Sequence, residues 1–335
     1  MTIRVGINGF GRIGRGFLRA SLAQPEIEIV AINDLTSTAT NAHLLKYDST
    51  QGRLEREVNH TEDSISVGGH SIKVMTEREP ANLPWGELDV DVVIESTGRF
   101  TSREAAAAHV TGGARRVIIS SPASDVDATF VIGVNDDTYD PARHVVVSNA
   151  SCTTNCFVPM VKVLDDAFGV YTGLMTTVHA YTNDQNLLDL PHSDLRRSRA
   201  AAINIVPTST GAARATGLVL EAMKGKLDGT SLRVPVPDGS ITDFTAVVRA
   251  TTAGEVNEAF ANAAKGPLGR VLVYTDEAIV SSDIVGTPAS CTFDSQMTMV
   301  MPIDEHRSLV KVFGWYDNEW GYANRLVDLA VVMGA

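Results

Sequence analysis

Apolar and polar positions along the chain fall into two regimes. In the first 150 residues, short apolar, β-branched runs recur at Ile3–Asn8, Ile27–Ile32, Asp91–Glu95, Arg116–Ser120, Thr129–Gly133 and His144–Ser148. Helix-compatible stretches lie between them at Arg15–Ala23 and Ser102–Val110. Runs that are apolar on both faces and alternate with helices predict a mainly parallel, doubly wound α/β sheet. Beyond residue 150 an apolar helix, Phe157–Leu164, leads into strand-like runs at Leu174–Tyr181, Leu232–Pro235, Asp243–Arg249, Val271–Tyr274, Gln296–Met301 and Ser308–Trp315. Fewer helices separate these runs, which predicts an α+β domain with a mostly antiparallel sheet. Apolar residues at Trp320, Ala323, Leu326, Val327, Ala330 and Val331 share one face of a closing amphipathic helix over Asn318–Val332. No internal repeat is visible.

The turn after the first strand is Gly9-Phe10-Gly11-Arg12-Ile13-Gly14, and the second strand ends in Asn33-Asp34. A strand, a G-x-G-x-x-G turn, a helix and an acid about twenty residues on form a dinucleotide-binding pattern: the glycines allow a tight turn and close approach of a pyrophosphate to the helix N-terminus. Asp34 can accept hydrogen bonds from a ribose diol and would repel a 2′-phosphate, so NAD is favoured over NADP. Thr97-Gly98 and Ser120 end two later strands, on the edge where such sheets hold ligands.

The candidate chemistry lies in Ser148-Asn149-Ala150-Ser151-Cys152-Thr153-Thr154-Asn155-Cys156. Cys152 is placed where a strand turns into a helix, and the positive helix end there is expected to favour a thiolate over a thiol of ordinary pKa, about 8.5. Ser151 and Thr153 add donors for an oxyanion or phosphate. His179, on the strand Leu174–Tyr181, is the natural base, and as an imidazolium it would lower the thiol pKa further. His192 is a weaker rival in a polar loop. Arg233 sits inside an apolar strand and needs an anionic partner. Thr182, Arg197, Thr210-Gly211 and Arg233 together supply the inventory of two phosphate sites. The segment Thr182–Ile203 is too long and polar to be an idle connection.

Bulk properties narrow the field. A chain of 335 residues is expected to split into two domains, and a formal charge of −12 argues against nucleic acid or an anionic membrane as the main partner. Three cysteines make no disulfide framework, no metal site is expected, and the absence of any long apolar run points to a cytoplasmic protein.

Several segments resemble the phosphorylating, NAD-dependent glyceraldehyde-3-phosphate dehydrogenases of bacterial or organellar type. They are GINGFGRIGR (6–15), AINDL (31–35), AHLLKYDST (42–50), ESTGRF (95–100), SNASCTTNC (148–156), VHAYTNDQ (178–185), DLRRSRAAAINIVPTSTGAA (194–213) and WYDNEWGY (315–322). The resemblance implies a Rossmann-type NAD-binding domain over 1–151, completed by the C-terminal helix 319–335. It implies a catalytic domain over 152–318 containing an S-loop, 182–203. Cys152 would form a hemithioacetal with glyceraldehyde 3-phosphate and His179 would act as general base, with inorganic phosphate cleaving the thioester to 1,3-bisphosphoglycerate. By the same resemblance Thr182, Asp184 and Arg233 serve the substrate phosphate, and Ser151, Thr153, Arg197, Thr210 and Gly211 the inorganic phosphate. Arg12, Ile13, Asp34, Arg78, Ser120 and Asn318 would contact NAD, with Tyr322 helping to fix the nicotinamide face. The S-loop implies a homotetramer. Ser37-Thr38, Ser124-Asp125, Ser193 and Asp238-Gly239 depart from common family choices without removing a catalytic group. The alternatives are a relative acting on erythrose 4-phosphate, which releases its acyl group by hydrolysis, and a non-enzymatic thiol redox sensor.

Overall fold

In a computed structural model describing residues 2–334, the chain divides into two compact units. One comprises the chain up to Ile132, Asp136–Ser151 and the segment from Tyr322 onward; the other comprises Gly133–Asn135 and Cys152–Gly321.

The first unit is built on nine strands: β1 (Ile3–Asn8), β2 (Ile27–Asn33), β3 (Val58–His60), β4 (Ser64–Val67), β5 (His70–Met75), β6 (Val92–Glu95), β7 (Arg116–Ile119), β8 (Ala128–Thr129) and β9 (Val146–Ser148). Their order is β3-β4-β5-β2-β1-β6-β7-β9-β8. Neighbours from β5 to β8 run parallel, whereas β3-β4-β5 is an antiparallel meander at one edge. The helices are α1 (Arg12–Ser21), α2 (Thr38–Lys46), α3 (Arg103–Ala106) and α4 (Ala108–Thr111). Because β2 and β6 flank β1 on opposite sides, the strand order reverses at β1, and its carboxyl end is where a ligand crevice opens.

Several boundaries differ from the sequence reading. The first helix starts at Arg12 instead of Arg15, since the Gly11 carbonyl already accepts the Arg15 amide at 3.0 Å. Ser102–Val110 breaks into α3 and α4. The strand expected over Thr129–Gly133 reduces to Ala128–Thr129, and Phe130, Val131 and Ile132 are buried outside any strand just before the chain passes at Gly133 into the other unit. Burial alone gave those residues their strand-like look.

The second unit holds β10 (Val170–Ala180), β11 (Val206–Ser209), β12 (Leu227–Val234), β13 (Ser240–Arg249), β14 (Leu272–Thr275), β15 (Cys291–Asp294), β16 (Met299–Pro302) and β17 (Arg307–Tyr316). Its helices are α5 (Cys152–Phe168), α6 (Ala212–Val219), α7 (Ala253–Lys265) and α8 (Ser281–Ile284). The order β11-β12-β10-β13-β17-β15-β14 is mostly antiparallel, with β10-β12 and β14-β15 parallel. Helix α5 packs its apolar face on this sheet, where Phe157 meets Phe244 edge-on at 4.8 Å. The final helix, α9 (Trp320–Gly334), returns to the first unit, where Ala323 packs against Gly16 of α1 and the Met333 carbonyl accepts the Tyr139 hydroxyl at 3.3 Å.

Candidate active site

Cys152 is the first residue of α5, at the turn after β9. That turn is strained: Ala150 is left-handed at φ 56°, a conformation that costs a residue with a Cβ about 1 kcal/mol or more. Two bonds hold it, from the Ala150 amide to Ser148 Oγ at 2.9 Å and from the Tyr322 hydroxyl to the Ala150 carbonyl at 2.9 Å.

His179 projects from β10 with its Nε2 3.4 Å from Cys152 Sγ. Its Nδ1 lies 2.7 Å from the Ala180 carbonyl, which can only accept, so the neutral ring carries its proton on Nδ1 and turns the Nε2 lone pair toward the thiol. The parallel register of β10 and β12 pairs His179 with Arg233, whose Nη1 donates to the Ala180 carbonyl at 3.2 Å and to Thr182 Oγ1 at 3.1 Å. Arg197 pairs with Asp184, and its Nε donates to Thr208 Oγ1 at 2.8 Å. Desolvation works against ionisation of Asp184, but the hydrogen bond and charge of Arg197 outweigh it and hold the carboxyl below the usual range. Thr210 Oγ1 accepts the Ala212 amide at 3.2 Å, and Gly211 caps α6.

Arg197 and Asp184, assigned by resemblance to separate phosphate sites, are thus directly joined. His192, set aside as a loop residue, lies 3.4 Å from Asp184 and accepts the Asp194 amide on Nδ1 at 2.9 Å.

Burial works against the thiolate that the helix end favours. Cys152 keeps some solvent access, yet desolvation within its pocket pushes the thiol up to about 11 against the opposing charge of Arg233. Burial, followed by the charge of Arg233, pushes His179 down to about 3. The helix end and the imidazole favour the charged pair, and the cost of burying either charge opposes it.

Tyr316, on β17, went unnoticed. It is buried, its hydroxyl bridges Thr153 Oγ1 at 2.9 Å and Thr177 Oγ1 at 2.8 Å, and its ring meets His179 edge-on at 5.9 Å. Only its place in the WYDNEWGY segment could have signalled it. Ser240 also ties the site together, accepting the Ala180 amide at 3.1 Å and donating to Asn318 Oδ1 at 2.7 Å. Asn318, expected at the cofactor, belongs to this unit.

Asp238 is 1% exposed and hydrogen-bonded to Asp317. Desolvation and the Asp317 charge raise it to about 8. Asp317 already accepts the amides of Gly286, Glu319 and Trp320, so Asp238 is the member that carries a proton. From the unfolded value near pH 4 up to about 8, the folded chain holds a proton that the unfolded chain has lost, and stability falls as pH rises through that window. Asp238→Asn keeps an acceptor for the Gly239 amide and gives Asp317 a permanent donor. The variant is expected to gain on the order of 1–4 kcal/mol at pH 8 and little at pH 4. Denaturant unfolding at both values checks this, and an equal gain at both would refute it.

In the first unit a cleft of about 750 Å³ opens at the carboxyl ends of β1, β2 and β6, lined among others by Gly9, Gly11, Asp34, Arg78 and Thr97. Gly9 lies at φ +91°, Gly11 has open space where a Cβ would stand, and a Cβ on Gly14 would come within 2.2 Å of the Gly9 carbonyl oxygen. These are the turn, the close approach and the helix–strand packing that a bound pyrophosphate needs, so the residues fit a dinucleotide. Asp34 accepts the Phe10 and Thr36 amides, both at 2.8 Å, one on each oxygen. Ile13 and Gly14 sit in the first turn of α1.

Three residues expected at the cofactor have partners within this unit. Arg12 is drawn to Asp48 at 2.5 Å, Ser120 gives its amide to the Glu95 carbonyl at 2.9 Å, and Tyr322 bonds Ala150. Asn8, Asn33, Glu77, Ser96 and Phe100 also line the cleft and were not foreseen. Among the described residues, no group of three or more His, Cys, Asp or Glu is placed to hold a metal ion, and no helix is long and apolar enough to cross a membrane.

A thiol–imidazole pair in one unit and a Rossmann-type dinucleotide cleft in the other define an NAD-dependent oxidoreductase. Residues 3–103 match the family model for the glyceraldehyde 3-phosphate dehydrogenase NAD binding domain, and residues 151–318 match that for the C-terminal domain. The chain is 65% identical to "Glyceraldehyde-3-phosphate dehydrogenase 2" of Streptomyces avermitilis and to "Glyceraldehyde-3-phosphate dehydrogenase" of Streptomyces coelicolor, and 59% identical to the enzyme of that name from Mycobacterium avium. Each comparison covers 100% of this chain and 99% of the relative. The chain belongs to the glyceraldehyde 3-phosphate dehydrogenase family, and the erythrose 4-phosphate alternative is not favoured.

Proposed function

We propose that Cys152 and His179 carry out the oxidative phosphorylation of glyceraldehyde 3-phosphate. The observation that carries this reading is the 3.4 Å approach of the His179 lone pair to a thiol at the start of α5, with Arg233 and Thr182 alongside. As Sγ bonds the aldehyde carbon, Nε2 takes the thiol proton and returns it to the new oxyanion, giving a hemithioacetal. Nε2 then accepts the hydroxyl proton as the carbon is oxidised to a thioester. When bound, NAD supplies the hydride acceptor.

An oxygen of inorganic phosphate next bonds the acyl carbon, the carbon–sulfur bond breaks, and the thiolate recovers its proton from His179. The product is 1,3-bisphosphoglycerate. Arg233 and Thr182 are suited to the phosphate of the substrate; Arg197, Thr210 and the open backbone at Gly211 are suited to inorganic phosphate. Asp184 orients Arg197 and Ser151 and Thr153 flank the nucleophile. The substrate phosphate supplies negative charge beside Arg233, whose hydrogen bonds go to the neutral Ala180 carbonyl and Thr182 hydroxyl, and so relieves the penalty on an imidazolium at His179.

Initial NADH production with and without inorganic phosphate tests this. Sustained turnover that requires phosphate is expected. Turnover indifferent to phosphate would mean hydrolytic release and refute phosphorolysis.

The protein is further proposed to be a cytoplasmic homotetramer. Leu187, Leu188, Leu190, Leu195, Ile203 and Ile205, in and just beyond the 182–203 segment, are each more than half exposed, and a concentration of apolar residues on one segment marks a contact surface. Sedimentation velocity should give four protomers; a monomer would remove the proposal.

A further inference from the structure

Beneath the dinucleotide cleft runs a chain of buried polar side chains for which the reaction has no use. Glu95 ends β6, Asn8 ends β1, Asn33 ends β2 and His109 lies in α4; with Trp85 they are all 4% exposed or less. A carboxyl group in such surroundings is costly unless every lone pair is engaged. Here it is. Oε1 of Glu95 accepts the Thr97 amide at 2.8 Å and the Thr97 hydroxyl at 2.5 Å. Oε2 accepts Asn8 Nδ2 at 2.6 Å and faces His109 Nε2 at 2.8 Å.

The tautomer of His109 follows from its other neighbour. The Trp85 indole N–H, which can only donate, reaches His109 Nδ1 at 3.0 Å. The neutral ring therefore carries its proton on Nε2 and donates it to Glu95. The orientation of Asn8 is set in the same way. Its Oδ1 accepts Asn33 Nδ2 at 2.7 Å, and Asn33 is clamped by the Glu77 backbone, donating to its carbonyl and accepting its amide, both at 2.8 Å. From Trp85 to Glu77 each donor meets an acceptor with no alternative arrangement.

What this chain holds in place is the floor of the cleft. Asn8, Asn33, Glu77, Ser96 and Thr97 line it, and Glu95 does not. Thr97 spends its hydroxyl proton on Glu95 and accepts the Arg99 amide at 3.1 Å, which sets the turn through Gly98. Ser96 Oγ donates to the Gly9 carbonyl at 2.7 Å, joining that turn to the glycine-rich one.

We propose that Glu95, oriented by His109 and Trp85, is a positioning residue for NAD: it holds Asn8 and the Ser96–Gly98 turn in the binding arrangement before the cofactor arrives. Part of the affinity for NAD is then preorganisation, an ordering cost met on folding and not on binding. This rests on the reading that NAD occupies the cleft over Gly11 and Asp34.

Glu95→Gln preserves volume but cannot accept on both sides. Whichever way its amide turns, an N–H₂ group faces either the two donors of Thr97 or those of Asn8 and His109. Calorimetric titration of the free enzyme with NAD is expected to show Kd raised at least tenfold, the kinetic loss falling on KM for NAD and not on kcat. Hydrogen exchange at the Thr97 and Arg99 amides should rise in the cofactor-free protein. Trp85→Phe, a milder change that frees the His109 tautomer, should raise Kd about threefold, and it serves if the glutamine variant does not fold. Variants that lower the melting temperature but leave Kd within twofold would reduce the network to a structural one and overturn the proposal. Asp34→Ala separates the underlying reading: if it leaves Kd unchanged, NAD does not occupy this cleft, whatever Glu95 does.

Discussion

Cys152→Ser is expected to lower turnover of glyceraldehyde 3-phosphate by about a thousandfold or more, while NAD binds with unchanged affinity. The hydroxyl of serine gives up its proton far less readily than the thiol. In this site the thiol is itself pushed up to about 11, and the neighbouring base is held down to about 3. The start of α5 helps an anion at this position, but a helix end is worth only about 1–2 kcal/mol, too little to ionise a hydroxyl. A burst experiment without phosphate is the direct check: native enzyme should release close to one NADH per active site as acyl-enzyme accumulates, and the variant should release none. Turnover within tenfold of native would remove Cys152 as the nucleophile.

His179→Asn is expected to lower kcat by about 10²–10⁴, the usual worth of a positioned general base. The amide can still hydrogen-bond but cannot take the hydroxyl proton. Its pH profile separates this role from a packing role. Protonated imidazole cannot accept, so the native kcat/KM falls as pH drops through the His179 pKa. Burial and Arg233 place that limb in the free enzyme well below the ordinary imidazole value, toward about 3. The limb should be absent in the variant. A variant that keeps it, or loses less than tenfold in kcat, would move the base elsewhere.

Local sequence was a good guide wherever one short segment completes a device. The glycine turn after β1 and the strand-to-helix turn at Cys152 are such segments, because turn chemistry, strand end and helix start are all encoded within about ten residues. Arg233, charged inside an apolar strand, was expected to meet an anion; in the structure it donates to the neutral Ala180 carbonyl and Thr182 hydroxyl. The edge meander β3-β4-β5 was missed because its strands are three to six residues long and mostly polar on one face. Strand β15 escaped for a different reason: Cys-Thr-Phe-Asp does alternate apolar and polar residues, but over only four positions, the shortest run in which alternation can be read, and all four are buried.

The amino-acid sequence by itself determined the two-domain α/β architecture, the dinucleotide turn, the pairing of a cysteine with a histidine, and the family. All of these rest on residue type and spacing along the chain. Only the tertiary structure decided how deeply that pair is buried, the union of Asp184 with Arg197, the support from Tyr316, and the polar chain from Trp85 through Glu95 to Asn33. These depend on which groups lose water together and which donor meets which acceptor across strands far apart in sequence. In a buried site the cost of desolvating a charge competes with every nearby dipole, and that balance exists only once the chain has folded.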